Sequence, residues 1–377
     1  MSVPTYDVVI VGAGIVGAAC AAECAAEGLR VLVVEAEMVG GGATAAGMGH
    51  IVVMDDSEAQ FELTLYSQRL WEELAEELPP SVEYDRCGTI WVAATEDEMR
   101  QAERKGKFYA ERGVAVELLD ARELREAEPR LRRDLWGGLR VPGDGVIYPP
   151  AAAHFLLSKA RAHRTELIVG RAVIEATLGG EVRLQDGSNI SSGIVINCAG
   201  SSSPKLTPQI KVQKRKGHLV ITDRYAGFVR HQLVELGYLE SAHAASSDSV
   251  AFNVQPRRTG QLLIGSSRQY GAEDARVDQG VLARMLNRAF AFMPGLADLS
   301  AIRVWTGFRA ATPDNLPLIG PYAEGARLYL ATGHEGLGIT TSLGTAKLIV
   351  AQIMGRTPPI SSEPFLPIRF MQESAHV

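Results

Sequence analysis

The chain has 377 residues, of which 46% are hydrophobic and 22% charged, with a formal net charge of −6. That length suits two domains, or one large domain with insertions, and the composition is that of a soluble globular protein able to bury a large core. The acidic balance argues against a nucleic-acid surface, and the single basic knot, Lys211-Val-Gln-Lys-Arg-Lys216, reads as a solvated strand edge or loop.

Asp7 to Val11 is short, apolar and β-branched, as a buried parallel strand should be. Gly12, Gly14 and Gly17 follow as G-x-G-x-x-G. The first glycine permits a tight turn, the second lets a pyrophosphate approach the backbone, and the third lets the next helix sit close on the strand. The N-terminus of that helix turns unpaired N–H groups toward the phosphates. Val31 to Val34 is the next strand, and Glu35 at its end is placed to accept hydrogen bonds from a ribose diol. Strand, glycine turn, helix, strand and acid together predict a bound dinucleotide.

Cys20 and Cys24 share a face of the first helix and read as small core residues. With Cys87 and Cys198 they complete the cysteines, and no C-x-x-C pair exists. No metal site is expected, and a reducing compartment fits. The longest apolar run, Val8 to Ala26, is broken by Gly12, Gly14, Gly17 and Glu23. Neither a signal peptide nor a membrane span is expected, and the expected location is cytoplasmic.

Met38 to His50 is rich in glycine and has neither helical nor strand period, so it reads as backbone exposed to a ligand. Ser57 to Leu78 is helical in pattern, Thr89 to Ala93 a strand, and Glu96 to Glu111 and Asp120 to Glu126 helices. Val146 to Tyr148 is strand-like, and Ala151 to Ala162 is a helix. Glu166 to Val169, Ala172 to Thr177 and Val182 to Leu184 alternate like strands, and Ile194 to Gly200 is a buried strand ending on glycine. From Gly217 to Gly265 strands and turns dominate, with a hairpin around Pro256-Arg-Arg-Thr-Gly260. Val281 to Phe292 is a helix and Ile302 to Phe308 a strand that delivers Arg309 into glycine- and proline-shaped backbone. Leu328 to Ala331 leads through Thr332-Gly-His-Glu-Gly-Leu-Gly338 into a last helix, Thr340 to Met354. A helix start there sets N–H groups against an anion. The proline-rich end after Arg356 is expected to wrap the surface.

In these motifs the chain resembles the flavin-dependent D-amino-acid oxidase superfamily, and within it the glycine oxidase group. The likeness runs from the glycine fingerprint through Ala45-Ala-Gly-Met48, Ser67-Gln-Arg-Leu70, Asn197-Cys-Ala-Gly200, the Pro256–Gly260 hairpin, Gly307-Phe-Arg309, Thr312-Pro-Asp314 and Gly333-His334. It implies an α/β fold: a Rossmann-type, glutathione-reductase-like FAD-binding domain from residues 1–50, 145–212 and 306–365, a substrate domain on a mixed or antiparallel sheet from 51–144 and 213–305, and a tail at 366–377. It implies FAD as cofactor and oxidation of an amino acid's C–N bond to an imine, with hydride passing to flavin N5.

The resemblance also assigns residues. Gly12, Gly14, Ile15, Val16 and Gly17 cradle the pyrophosphate, and Glu35 with Ala36 takes the adenosine ribose. Thr44, Ala45, Gly47 and Met48 run along the flavin. Val173 meets adenine, Ala199 and Gly200 close the phosphate side, and Gly336, Gly338, Ile339 and Thr340 face the flavin pyrimidine. Arg309 grips the substrate carboxylate; its other reading is a structural ion pair. Asn253 stands where glycine oxidases bring a tyrosine toward that carboxylate, and Gly336 where they carry a basic side chain. The pocket is therefore expected to lose a phenol and a positive charge and to suit a larger, polar-ringed substrate. His334 and Glu335 are candidates for a hydrogen-bonding or proton-handling pair, against a reading in which His334 supports the turn and Glu335 faces solvent or a partner. His50 is a candidate contact to isoalloxazine or substrate, or a packing residue.

Gly333 to Thr341 is similar to bacterial hydroxyproline catabolic dehydrogenases acting on cis-4-hydroxy-D-proline, which implies that substrate. It also raises electron-accepting subunits or a respiratory acceptor, peripheral membrane association through such a partner, and homo- or hetero-oligomers. Two alternatives remain: a peroxide-forming oxidase of glycine, sarcosine or small D-amino acids, and a non-catalytic or electron-relay subunit of a larger flavoprotein.

Overall fold

A computed structural model describes residues 6–237 and 248–370. Two large sheets dominate the described residues. The first runs in the order Leu318–Pro321, Leu328–Thr332, Asn189–Asn197, Tyr6–Val11, Val31–Glu35, Glu166–Val169. Its pairings are parallel except at the Leu318–Pro321 edge. The hairpin of Val173–Ala176 and Glu181–Leu184 extends Asn189–Asn197 beyond this sheet.

Alternation along Tyr6–Val11 decides how the layers close. Val8 and Ile10 pack into the core formed with helices Ile15–Ala26, Pro149–Ala162 and Gly338–Ile353. Val9 and Val11 face the opposite way, into a core shared with Val182 and Leu184 of the hairpin. Both faces are apolar, as a central parallel strand requires. Cys20 and Cys24 are fully buried beneath the helices, where small residues allow close packing.

The second sheet has the order His334–Glu335, Ala301–Ala311, Gln213–Thr222, Leu262–Arg268, Ser249–Pro256, Gln232–Glu235, Thr89–Ala93, Gly137–Val141, Glu117–Asp120. Among its described pairings only Gln232–Glu235 with Thr89–Ala93 is parallel, so the sheet is mixed. One face packs on helix Gln279–Phe292, where Phe252 stacks on Phe292 with centroids 4.7 Å apart. The alternate residues Trp91, Val234 and Asn253 therefore turn to the opposite face, toward the first sheet.

Several expectations need correction. The strand Ala301–Ala311 stays paired to Gln213–Thr222 along its whole length, ending at Gln213 opposite Ala311. Residues 306–311, and the short strand 334–335 on its edge, thus belong to the second sheet, because a continuous antiparallel ladder cannot be cut at residue 306. Helix Glu58–Leu74 does not belong to one unit: Leu63 and Trp71 enter the core of the first sheet, while Phe61 enters the core beside Trp91. That helix is capped by Ser57, whose hydroxyl accepts from Gln60 N at 3.1 Å, and it ends at Leu74 in a 3-10 turn rather than reaching Leu78. Within the glycine-rich loop, Gly42–Ala46 forms a short helix and His50–Ile51 a short strand.

The basic knot is only partly a solvated edge or loop: Lys211 is exposed ahead of the strand, whereas Lys216 is not. Gln213–Thr222 is flanked on both sides, Lys216 is buried, and its Nζ lies 3.6 Å from Asp274. Pairing on both edges turned half of a charged sequence inward. In the tail, Arg369 pairs with Asp314 at 2.7 Å; residues 371–377 lie outside the described residues. Among the described residues no helix is long and apolar enough to cross a membrane.

Candidate active site

A cavity of about 560 Å³ lies between the two sheets. At its first end, the chain leaves Tyr6–Val11 through Gly12 at φ +104°. A Cβ at Gly12 would sit 2.8 Å from the Cys198 carbonyl oxygen, and one at Gly17 only 2.0 Å from the Gly12 oxygen. Only glycine lets helix and strand approach this closely. Thr44 Oγ1 accepts from Ile15 N at 3.0 Å and so ties the loop 42–46 to the helix start. Glu35 accepts from Ala13 N at 2.6 Å and from Glu37 N at 2.8 Å, which fixes its carboxylate on the wall with lone pairs to spare.

Gly12, Gly14, Ile15, Val16, Glu35, Ala36, Thr44, Gly47, Met48, Val173, Ala199, Gly200, Gly336, Gly338 and Ile339 all line the cavity. Three expected residues do not. Gly17 is buried as the spacer between helix and strand. Ala45 is exposed, and Ala46, one residue on, takes the wall. Thr340 is buried, with its hydroxyl donating to His50 O at 2.8 Å and accepting from Val52 N at 3.3 Å. The wall is tight: a Cβ at Gly307 would meet Ala46 Cβ at 2.3 Å. A long groove of close backbone, with an acid at one end and a helix start between, fits a dinucleotide such as FAD.

The other end carries charge. Arg215 and Arg309 are directly opposite on neighbouring antiparallel strands and so share a face. The Arg309 guanidinium lies over Gly217, whose absent side chain makes room for it, and Nη1 donates to Ser267 O at 3.0 Å. Arg268 joins from the next strand. Between them sits Glu335, whose backbone at φ +50° is left-handed; its Oε1 lies 3.2 Å from Arg215 Nη1 and 3.4 Å from Arg268 Nε. All four side chains line the cavity.

Burial pushes the Glu335 carboxyl up, but the charges of Arg268, Arg309 and Arg215 outweigh it and hold it at about 2. Glu335 therefore faces the cavity as a charged hydrogen-bond acceptor rather than solvent. Burial brings His334 down to about 4, and its Nε2 bonds Thr345 Oγ1 at 3.0 Å. It is a neutral support of the turn, with no proton to exchange near neutrality. His50 also lies at about 4, lowered by burial and by Arg309 against a raising contact from Gln255, and its Nε2 has no partner among the described residues.

Arg215 and Arg268 were not legible as site residues: with Arg309 they set three guanidinium groups around one carboxylate. We predict that Glu335→Gln costs on the order of 3–5 kcal/mol, because it leaves buried guanidiniums without their counter-charge. A thermal melt at neutral pH checks this; an unchanged midpoint would contradict the cluster. The sign with pH follows from the lowered value. Stabilisation by Glu335 is full above its ordinary 4.5 and is lost as pH falls toward about 2.

A model of the family described as DAO, FAD dependent oxidoreductase, matches residues 7–352. Hydrogen cyanide synthase subunit HcnC of Pseudomonas aeruginosa is 28% identical to this chain, over 99% of it and 98% of the relative. Glycine oxidase of Geobacillus kaustophilus is 30% identical, over 93% of each chain. The crystal structure of glycine oxidase from the same organism superposes with a TM-score of 0.87 at 27% identity, covering 97% of this chain and 98% of that one.

Proposed function

The chain belongs to the DAO family of FAD-dependent oxidoreductases, and from that premise we propose that it oxidises the C–N bond of a cyclic or D-configured amino acid, with cis-4-hydroxy-D-proline as the best-suited substrate. It is a flavoenzyme of the amino-acid oxidase and dehydrogenase type. When bound, FAD would supply the two-electron acceptor: it would take the hydride lost from the substrate's Cα–H bond, while the nitrogen gives up a proton and the C–N bond becomes an imine.

The observation that carries the substrate reading is Arg309. Its guanidinium lies half-buried on the second sheet, donates to Ser267 O, and lines the same cavity as the glycine loop. A guanidinium fork fits a carboxylate bidentately. Held there, the α-carbon is fixed in one orientation, and orientation is a large part of what a protein contributes to such a reaction. Glu335 keeps two neighbouring guanidiniums in place without offering a proton. Asn253 contributes an amide where a phenol would fill the space, which suits a polar ring.

His50 and His334, at about 4, and Glu335, at about 2, do not titrate between pH 6 and 9, so none of them takes a proton from the amine there. We predict one ascending limb in the pH profile of kcat/KM, set by the substrate's own amine. The limb should move when the substrate is changed for one of different amine basicity. A limb near 6.5 that disappears in His50→Gln would contradict this.

A second reading, oxidation of glycine or a small D-amino acid by oxygen, is favoured by the relative named glycine oxidase. The relative named a synthase subunit favours partner subunits. One experiment separates them: kcat/KM for cis-4-hydroxy-D-proline, D-proline, D-alanine and glycine, each with an artificial dye and with oxygen. The proposal predicts the imino acids first and dye reduction faster than peroxide release. Glycine first, with stoichiometric peroxide, would replace it by the second reading.

A further inference from the structure

The cavity-facing side of the second sheet carries polar groups that the carboxylate anchor does not use. Trp91, Val234 and Asn253 stand directly opposite one another on three neighbouring strands, Thr89–Ala93, Gln232–Glu235 and Ser249–Pro256. Gln232, two places before Val234 on its strand, points to the same face. All four line the cavity. They are deeply buried, with Trp91 and Gln232 each 2% exposed, Val234 3% and Asn253 4%.

Three of the four hold a polar atom with no hydrogen-bond partner among the described residues: Trp91 Nε1, Gln232 Oε1 and Asn253 Oδ1. Buried polar atoms are nearly always paired, so such a set on one wall calls for a ligand group. The set is one donor and two acceptors around the apolar Val234. A hydroxyl, which donates once and accepts, matches it; a carboxylate would face two carbonyl oxygens and is repelled. Only the strand Leu262–Arg268 separates Asn253's strand from that of Gly217, over which the Arg309 guanidinium lies. Two strand spacings are about 10 Å, so a small ligand held at one end by its carboxylate can reach this wall with a distal hydroxyl.

We propose that Trp91, Gln232 and Asn253 form a subsite that reads a hydroxyl on the substrate's side chain or ring. This rests on the reading of Arg309 as the carboxylate anchor and deepens it. Neither Trp91 nor Gln232 carries any signal in the sequence that marks it as a specificity residue.

The test uses FAD-loaded enzyme and the ratio of kcat/KM for cis-4-hydroxy-D-proline to that for D-proline, in the wild type, Gln232→Leu, Asn253→Leu and Trp91→Phe. The ratio should favour the hydroxylated substrate in the wild type and fall about tenfold or more in Gln232→Leu and Asn253→Leu, with a smaller fall in Trp91→Phe. A merely structural role would slow both substrates alike and leave the ratio unmoved, and that result overturns the subsite. If neither imino acid is oxidised, the substrate proposal fails by itself. The subsite is then tested by the same ratio for D-threonine over D-2-aminobutyrate, where loss of discrimination in the variants supports it and an unmoved ratio overturns it. A wild type that prefers D-glutamate over every hydroxylated substrate also overturns it, since the wall would then be receiving an anion.

Discussion

Arg309→Leu is expected to raise the KM for the amino-acid substrate by a hundredfold or more while the protein stays yellow. The size follows from two charge-assisted hydrogen bonds at roughly 1.5–3 kcal/mol each, where about 1.4 kcal/mol is a factor of ten. The variant also strands Ser267 O, which loses its donor at 3.0 Å. Leucine fills the space over Gly217, so the sheet itself has no reason to open. Arg309→Lys should restore only a small part of the loss, because a single ammonium cannot serve Ser267 O and a carboxylate with one planar fork. A redox-inert carboxylate, pyrrole-2-carboxylate, gives the cleaner reading: it should perturb the flavin spectrum of the wild type and fail to do so in Arg309→Leu. Equal affinity in the two proteins would remove the anchor and return Arg309 to a structural ion pair.

Gly17→Ala should produce protein that folds poorly around its cofactor. The new Cβ would lie 2.0 Å from Gly12 O and 3.3 Å from Cys198 Cβ. Both obstacles are at the heart of the glycine turn, and the nearer one is backbone, so no rotamer relieves it. Helix Ile15–Ala26 must lift from the strand Tyr6–Val11, at the cost of overpacking, roughly 1–3 kcal/mol or more. The same movement disturbs Gly12 to Val16, whose backbone lines the cavity. The expected result is FAD affinity reduced about a hundredfold and a lower melting temperature. Gly179→Ala is the comparator, since its nearest neighbour is Thr177 Oγ1 at 3.7 Å; it should keep its flavin. A fully loaded Gly17→Ala protein with wild-type melting would mean that close helix–strand contact is not needed.

The nucleotide half of the cavity was legible because its causes are local. A tight turn, a close approach and a helix start are each written within a few residues, and glycine marks each one sterically. The charged half was not. Arg215, Arg268 and Arg309 come from three strands, Gln213–Thr222, Leu262–Arg268 and Ala301–Ala311, and only their register brings them to one face. A single sequence does not state which strands pair, so Arg215 looked like one cation in a solvated run. The sequence left Glu335 open between the site and solvent for a related reason: its backbone is left-handed at φ +50°, and no local pattern announces that for a glutamate. That strand Ala301–Ala311 runs through residue 306 was not legible either, because a strand's end depends on its partner, here Gln213 opposite Ala311.

We propose that one cavity holds FAD at its glycine-rich end and fixes an amino-acid carboxylate on Arg309 at the other. Anaerobic addition of cis-4-hydroxy-D-proline to the purified, FAD-loaded protein tests it most directly, with the flavin absorption followed in wild type and in Arg309→Leu at the same substrate concentration. The wild type should bleach rapidly, and the variant more slowly by two orders of magnitude or more. A protein that takes up no FAD, or whose flavin bleaches equally fast with and without the arginine, would contradict it.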